Sequence, residues 1–305
     1  MNLFFIVNPT AGRGPASAIN SISLIEDFCK NRNIHYKIVK TLYKGHAVSL
    51  AQQAISSHIK YDAVISVGGD GTLLEVANGL MGTDTLLGIL PAGTGNDFAR
   101  AIGVPSTIRE ALASLIKRRS RLIDVGKLEN VFFINVASVG FDAEIIRDIF
   151  KFKKFIPGKA SYYIAALVKF FTFKFKDITL NIDGKVIKTK ILLVAIANGT
   201  HYGGGMRVNP KGDLEDGYLD VIIVNSLPRY KIPFLMYRFV KGTYQDLPYV
   251  KTYKCKEVSI DSHDNLVINA DGDLYGNTPA KFTVKPLSLN VIDRKSTRLN
   301  SSHQI

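Results

Sequence analysis

Three apolar runs early in the chain each end in a glycine-rich turn: "LFFIV" leads into "NPTAGRG" (Asn8–Gly14), "DAVISV" into "GGDGT" (Gly68–Thr72), and "LLGIL" into "PAGTGND" (Pro91–Asp97). This pattern restricts the fold more than any bulk property. A short continuous apolar run bounded by turn signals reads as a strand buried on both faces. Glycine lets backbone N–H groups close on phosphate oxygens with no Cβ in the way, and a following helix N-terminus adds a favourable dipole. One such turn is an ordinary strand-to-helix connection. Three at the same edge of one sheet point to a phosphate site.

The segments between these turns read as helices and a further strand. Ile19, Ile22, Ile25 and Phe28 recur every third residue, as one face of a helix does. "HYKIVKT" (His35–Thr41) is a strand, and "GHAVSLAQQAISS" a helix with Ala47, Leu50, Ala51 and Ala54 inward. Strands alternating with helices predict a parallel sheet covered on both faces, with ligands beyond the carboxyl ends of the strands. From about Asp124 the style changes to short runs alternating with period two. Ile178, Leu180 and Ile182 precede an Asp183-Gly184 turn and another apolar run, which is a hairpin signal. The expected architecture is an α/β domain over residues 1–124 and an all-β sandwich over 125–293, with "GKASYYIAALVKFF" (Gly158–Phe171) as its one helical intrusion. Residues 294–305, "RKSTRLNSSHQI", differ in character and read as a non-native tail.

Composition narrows the functional classes. With 305 residues, 46% hydrophobic, the chain can bury a core without staples. Cys29 and Cys255 lie far apart with no zinc spacing, and read as buried reduced thiols. No basic leader precedes "LFFIV" and no apolar run is long enough to span a bilayer, so the expected location is cytoplasmic. The net charge of +13 favours nucleic acid, anionic lipid or phosphorylated ligands. No nucleic-acid-binding motif accompanies it.

Neither G-x-x-x-x-G-K-[ST] nor a strand-borne G-x-G-x-x-G occurs, which argues against a Walker-type NTPase and a Rossmann dehydrogenase. The motifs that do occur are "GGDGTLLEVANGL", "PAGTGNDFAR", "NPTAGRG", the "T…GHA" of Thr41–Ala47, and "NGTHYGGGMRVNPKGDLEDGYLDV". Together they resemble the diacylglycerol kinase catalytic family, in particular its soluble bacterial lipid kinases, from about Leu3 to Asp293. "GGDGT" alone is shared with NAD kinases, whereas "GTGNDFAR" with the downstream "DGYLDV" is more specific to lipid kinases.

The resemblance implies an NAD kinase/diacylglycerol kinase-like two-domain fold, ATP and Mg²⁺ as cofactors, and a membrane lipid as acceptor, most simply diacylglycerol. It places Asn8, Pro9, Thr10, Ala11, Gly12, Thr41, Gly68, Gly69, Gly71, Thr72 and Thr94 around the nucleotide, with Asn96 and Asp97 opening the next helix. Asp70 would orient a phosphate-bound Mg²⁺, a role a metal-free dinucleotide site does not want because like charges repel. The plain alternative for Asp70 is a turn residue accepting backbone N–H groups, and for Asn96 and Asp97 simple N-capping. Asp213, Asp216 and the carbonyl of Tyr218 match a structural Mg²⁺ loop, or else form an acidic surface turn.

The family's general base, usually glutamate, corresponds to Asp273 in "NADGD". Aspartate is shorter by one methylene, about 1.5 Å of reach. Asp273 therefore sits on a loop brought closer, works through water, or is not the base. "FKFKKFIPGKASYYIAALVKFF" and "KRRSR" together read either as a basic, aromatic rim for peripheral contact with an anionic membrane or as a solvated face over a core helix. Two rivals stay open at this level, a NAD kinase and a non-catalytic lipid or nucleotide sensor. The acceptor lipid and a homodimer are likewise left open.

Overall fold

The structure, a computed structural model, describes residues 1–12, 14–117, 119–152 and 168–293. Its chain divides into two units, one of Met1–Val125 with the segment from Pro286 onward, the other of Gly126–Lys285.

In the first unit, β1 (Asn2–Val7), β2 (His35–Lys40), β3 (Ala63–Gly68) and β4 (Leu86–Pro91) are parallel, in the order β2-β1-β3-β4. β3 and β4 are buried along their whole length, as sheets covered on both faces require. The connections are α1 (Pro15–Lys30), α2 (His46–Ile55) and α3 (Asp70–Leu80). α4 (Asp97–Ala101) and α5 (Ile108–Leu115) follow β4. α2 turns Ala47, Leu50, Ala51 and Ala54 inward as expected. α1 departs from expectation. Its buried residues are Ala18, Ser21, Ile25 and Cys29, while Ile19 is 64% exposed. A strict three-residue step falls short of a full turn and drifts around the helix, so an inward face needs mixed steps of three and four.

The second boundary also differs from expectation. β5 (Ser120–Leu128) leaves the first unit, and β15 (Ala280–Ile292) returns to it, so Pro286–Ile292 belong with the α/β unit and not with the sandwich. The return is fixed locally. Val291 pairs in parallel with Leu87, Leu287 N–H donates to buried Asp124 at 2.8 Å, and Arg121 meets Asp293 at 2.6 Å.

The second unit is antiparallel. β6 (Val131–Phe133) forms a hairpin with β5. β14 (Asp273–Asn277), β13 (Val267–Ala270), β7 (Val136–Gly140), β9 (Lys185–Ala197), β8 (Lys176–Ile182), β12 (Glu257–Asp261) and β15 follow one another in pairing order. β10 (Leu219–Asn225) joins β9 to β11 (Val250–Cys255). β9 pairs with β8 along its first half and sits between β7 and β10 along its second, where every residue is buried. Asp183 and Gly184 both have positive φ, 46° and 89°, in the two-residue turn joining β8 to β9. One core lies among strand side chains such as Phe133, Ile196, Val221 and Phe282. The other lies under helices, where Phe141 and Ile145 of α6 (Phe141–Phe152) meet Leu235 and Phe239 of α7 (Ile232–Lys241). The all-β expectation thus missed two helices. The Gly158–Phe171 helix falls largely on 153–167, outside the described residues, as do the tail 294–305 and Arg118. Cys29 and Cys255 are both free and buried, and burial pushes their thiols up to about 11 and about 12.

Candidate active site

The strand order places β1 and β3 side by side while their connections run to opposite sides. That is the switch point where open parallel sheets bind ligands. The three glycine turns meet there. Asn8 bridges the gap, donating from Nδ2 to Thr72 Oγ1 at 2.9 Å, while its Oδ1 accepts from Thr10 N–H (2.9 Å) and Thr10 Oγ1 (2.8 Å). Thr41 is buried beside them, its N–H on Val7 O at 2.9 Å.

Close approach explains the glycines at 69 and 93. A Cβ on Gly69 would lie 3.2 Å from Gly93 Cα, and one on Gly93 would collide with the Gly69 backbone. Gly71 is different. It is exposed in the first turn of α3, its φ is not positive, and a Cβ there would meet nothing within 4 Å. Neither strain nor packing asks for glycine at this position. Gly93→Ala is expected to part the two loops. It should cost about 1–3 kcal/mol of stability. Thermal denaturation of the variant checks this, and an unchanged midpoint refutes the packing argument.

Asp70 opens α3 and points toward the third turn. Its Oδ1 accepts from Phe98 N–H at 3.4 Å, and a Cβ on Gly95 would stand 2.7 Å from its Oδ2. Burial, then the neighbouring Asp97 carboxylate, raises its pKa, and the backbone N–H groups of residues 96–98 offset this in part. The backbone-acceptor reading of Asp70 is thus realised, across loops instead of within its own turn. Asp97 is buried and pairs with Arg100 at 2.6 Å, which also reaches Gly95 O at 3.1 Å. Asn96 does not cap α4 with its side chain. It sits at φ 53° and clasps Gly93, accepting from its N–H (3.1 Å) and donating to its carbonyl (2.8 Å). Thr94 is left exposed at the loop tip.

Sequence reasoning missed Glu75. Five residues beyond Asp70 on α3, it accepts from Gly45 N–H (2.8 Å) and Ala47 N–H (3.1 Å). It thereby supplies the acidic partner that the first turn of α2 lacks and ties the Thr41–Gly45 loop to the Asp70 helix.

In the second unit, Asp271 and Gly272 make the turn into β14, with φ of 48° and 92°. The Asp271 carboxylate accepts backbone N–H groups from Ile134 (2.7 Å), Asn135 (3.1 Å) and Val136 (2.8 Å). Asn269 Oδ1 accepts from Gly272 N–H at 3.0 Å, and its amide donates to Ser138 Oγ at 2.9 Å. Ser138 donates to Asp142, which also receives the Tyr202 hydroxyl at 2.5 Å. Burial raises the Asp142 pKa. This network fixes the turn that delivers half-buried Asp273 as the first residue of β14.

The acidic loop before β10 is folded by its own backbone. Asp213 Oδ1 accepts from Glu215 N–H (3.1 Å), and Asp216 Oδ1 from Tyr218 N–H (3.0 Å). Lys254 binds the other oxygen of Asp216, and that bond, with Asp220, Asp216 and Asp213 nearby, raises its pKa. The loop therefore presents oxygen-only donors in a field that already gathers one cation. Among the described residues no group of three His, Cys, Asp or Glu side chains is set to hold a metal ion.

Phosphate-type turns converging at the switch point of a parallel sheet, in a chain that continues into an antiparallel sandwich, define the NAD kinase/diacylglycerol kinase-like two-domain class. Residues 2–128 match the diacylglycerol kinase catalytic domain, and residues 135–293 match the YegS C-terminal NAD kinase beta sandwich-like domain. The chain is 32% identical over 279 residues to a diacylglycerol kinase of Staphylococcus aureus (strain MRSA252), covering 91% of this chain and 87% of that one. It is 34% identical over 240 residues to the diacylglycerol kinase of strain Newman, with 78% and 76% covered. A crystal structure of a candidate diacylglycerol kinase from Bacillus anthracis str. Sterne superposes with a TM-score of 0.79 at 28% identity, over 96% of this chain and 95% of that one. This chain belongs to the diacylglycerol kinase family.

Proposed function

We propose that this protein is an ATP- and Mg²⁺-dependent lipid kinase. It transfers the γ-phosphoryl group of ATP to a lipid hydroxyl, with diacylglycerol as acceptor and phosphatidic acid as product. The observation that carries this reading is the convergence of the Asn8, Gly69 and Gly93 turns around Asp70, with uncrowded Gly71 beside it. The names of the relatives support the acceptor class.

Asn8–Gly12, Thr41, Gly68–Thr72, Thr94, Asn96 and Asp97 receive the nucleotide. The first turn of α3 directs its N–H groups and its dipole at the phosphates. Asp70 supplies the carboxylate that orients the phosphate-bound cation. The acidic loop fits a second divalent ion by donor type, and Asp213, Asp216 and the Tyr218 carbonyl would hold it. When bound, Mg²⁺ neutralises charge on the transferring group. Asp273 accepts the proton as the lipid O–H bond breaks. The lipid oxygen then bonds to the γ-phosphorus in line, and ADP leaves with the electrons of the broken P–O bond.

The test is transfer of label from γ-labelled ATP with Mg²⁺ to diacylglycerol, sphingosine, phosphatidylglycerol and NAD. Labelled phosphatidic acid is expected. Label in another lipid retains the lipid kinase and changes the acceptor. Label in NAD, or ATP binding with no product, overturns the reading.

A further inference from the structure

One surface of the second unit is unlike the rest. Six of the large hydrophobic side chains exposed among the described residues fall in two short segments. Val168 and Phe171 lie at the helical stretch over 168–172. Tyr230, Phe234, Tyr237 and Val240 lie along the 3₁₀ turn Arg229–Lys231 and α7. The two segments are joined, because the Arg229 guanidinium donates to the carbonyls of Phe171 and Phe173.

α7 is amphipathic in an uncommon way. Ile232, Leu235 and Phe239 face the core. The opposite stripe is aromatic as well, with Phe234 50% and Tyr237 57% exposed, and Tyr230 just before it 76% exposed. Cations stand over these rings, Arg238 at 5.6 Å from the Phe234 centroid and Lys241 at 5.9 Å from that of Tyr237. From Arg229 to Gly242 there are four basic residues and no acidic one. The nearest counter-charge is Asp246, which pairs with Arg238. A solvated helix face normally mixes both signs and hides its rings.

The expected rim over Phe150–Phe171 is a separate matter. Most of it lies outside the described residues, and its Lys169 is turned inward, 2.7 Å from Glu144 and 3.0 Å from Asp148.

We propose that the α7 face, with Phe171 and Tyr230, is the surface by which this protein docks on a bilayer carrying anionic headgroups. Rings that present an apolar body beneath a basic head match the interfacial layer, where Trp and Tyr partition and Lys and Arg snorkel to phosphate. The all-basic helix is complementary in charge to anionic headgroups. The inference rests on the lipid-kinase reading only in giving the protein a reason to meet a bilayer.

The experiment is sedimentation with vesicles of phosphatidylcholine alone or with phosphatidylglycerol. It compares the wild type with Phe234→Ser/Tyr237→Ser and with Lys231→Glu/Lys241→Glu, each checked for an unchanged thermal midpoint. Wild type should bind only the anionic vesicles. The charge variant should bind them about tenfold or more weakly, with raised salt acting in the same direction. The ring variant should also lose binding, while phosphorylation of micelle-dispersed short-chain diacylglycerol stays unchanged. Binding needs no turnover, so its outcome is independent of which acceptor is phosphorylated. Equal partition of wild type and variants overturns the proposal. So does a wild type that ignores vesicles but self-associates in a way the ring variant abolishes.

Discussion

Asp70→Asn is expected, on the role proposed for Asp70 in orienting the cation, to lower turnover about 10³-fold or more, since such a carboxylate supplies several kcal/mol of transition-state stabilisation. The same substitution is expected to raise the thermal midpoint at neutral pH. The two effects have one origin. Burial and the Asp97 carboxylate hold the Asp70 pKa above its unfolded value. A carboxyl raised in this way imposes no penalty below the unfolded pKa. The penalty grows as pH rises and is complete above the folded pKa. Asparagine keeps an oxygen for Phe98 N–H and carries no charge, so the variant gains stability at neutral pH and gains nothing in acid. A site that pays in stability for its charge is a common feature of functional residues. Single-turnover transfer from γ-labelled ATP and thermal unfolding across pH check both halves. Full turnover would remove Asp70 from the mechanism. A midpoint below wild type at neutral pH would show the carboxylate to be structural.

The α/β half was legible because each fully buried strand is a continuous apolar run ended by glycine, and because the alternation fixes a parallel sheet. The convergence of the turns followed from that sheet, since all three leave carboxyl ends. The contacts did not follow. That Asn96 clasps Gly93 and does not cap α4, or that Asp70 reaches across to residues 96–98, depends on side-chain directions fixed by neighbouring loops. Glu75 was overlooked for the same reason, because its partners at Gly45 and Ala47 are thirty and twenty-eight residues away.

The second half shows a different limit. α7 reads "IPFLMYRFVK", with apolar or aromatic residues on both faces, so no helical period stands out against a strand-like run. Its ends carried better signals. Pro233 lies in the first turn, and Gly242 closes the helix at φ 70°. α6 hides its period behind Asp142, Glu144 and Asp148, which are buried or ion-paired acids on a face that patterning assigns to solvent. β15 changes partners around Pro286, which has no N–H for the ladder, and that proline was the one mark in the sequence of where the strand leaves the sandwich.

Asp271 and Asp273 form the second test, because two aspartates two residues apart are expected to fail in opposite ways. Asp273→Asn should fold like wild type and lose about 10²–10⁴ in turnover, the range for a lost general base. Asp273→Glu puts a carboxylate one methylene longer on the same turn and should keep substantial activity. Asp271→Asn should do the reverse. Its carboxylate receives three successive backbone N–H groups at 2.7–3.1 Å. An amide can offer only one oxygen and sets an N–H₂ against a donor, at a cost of about 1–3 kcal/mol. The Asp271 variant should therefore melt earlier, with activity lost only as far as the turn loosens. Unfolding curves and initial rates on the three variants separate the roles. If Asp273→Asn keeps full turnover, the proton goes elsewhere and Asp273 is only the start of β14. If Asp273→Asn is inactive and the glutamate variant is equally inactive, the turn accepts one side-chain length alone, and the shorter residue is matched to this chain's own backbone.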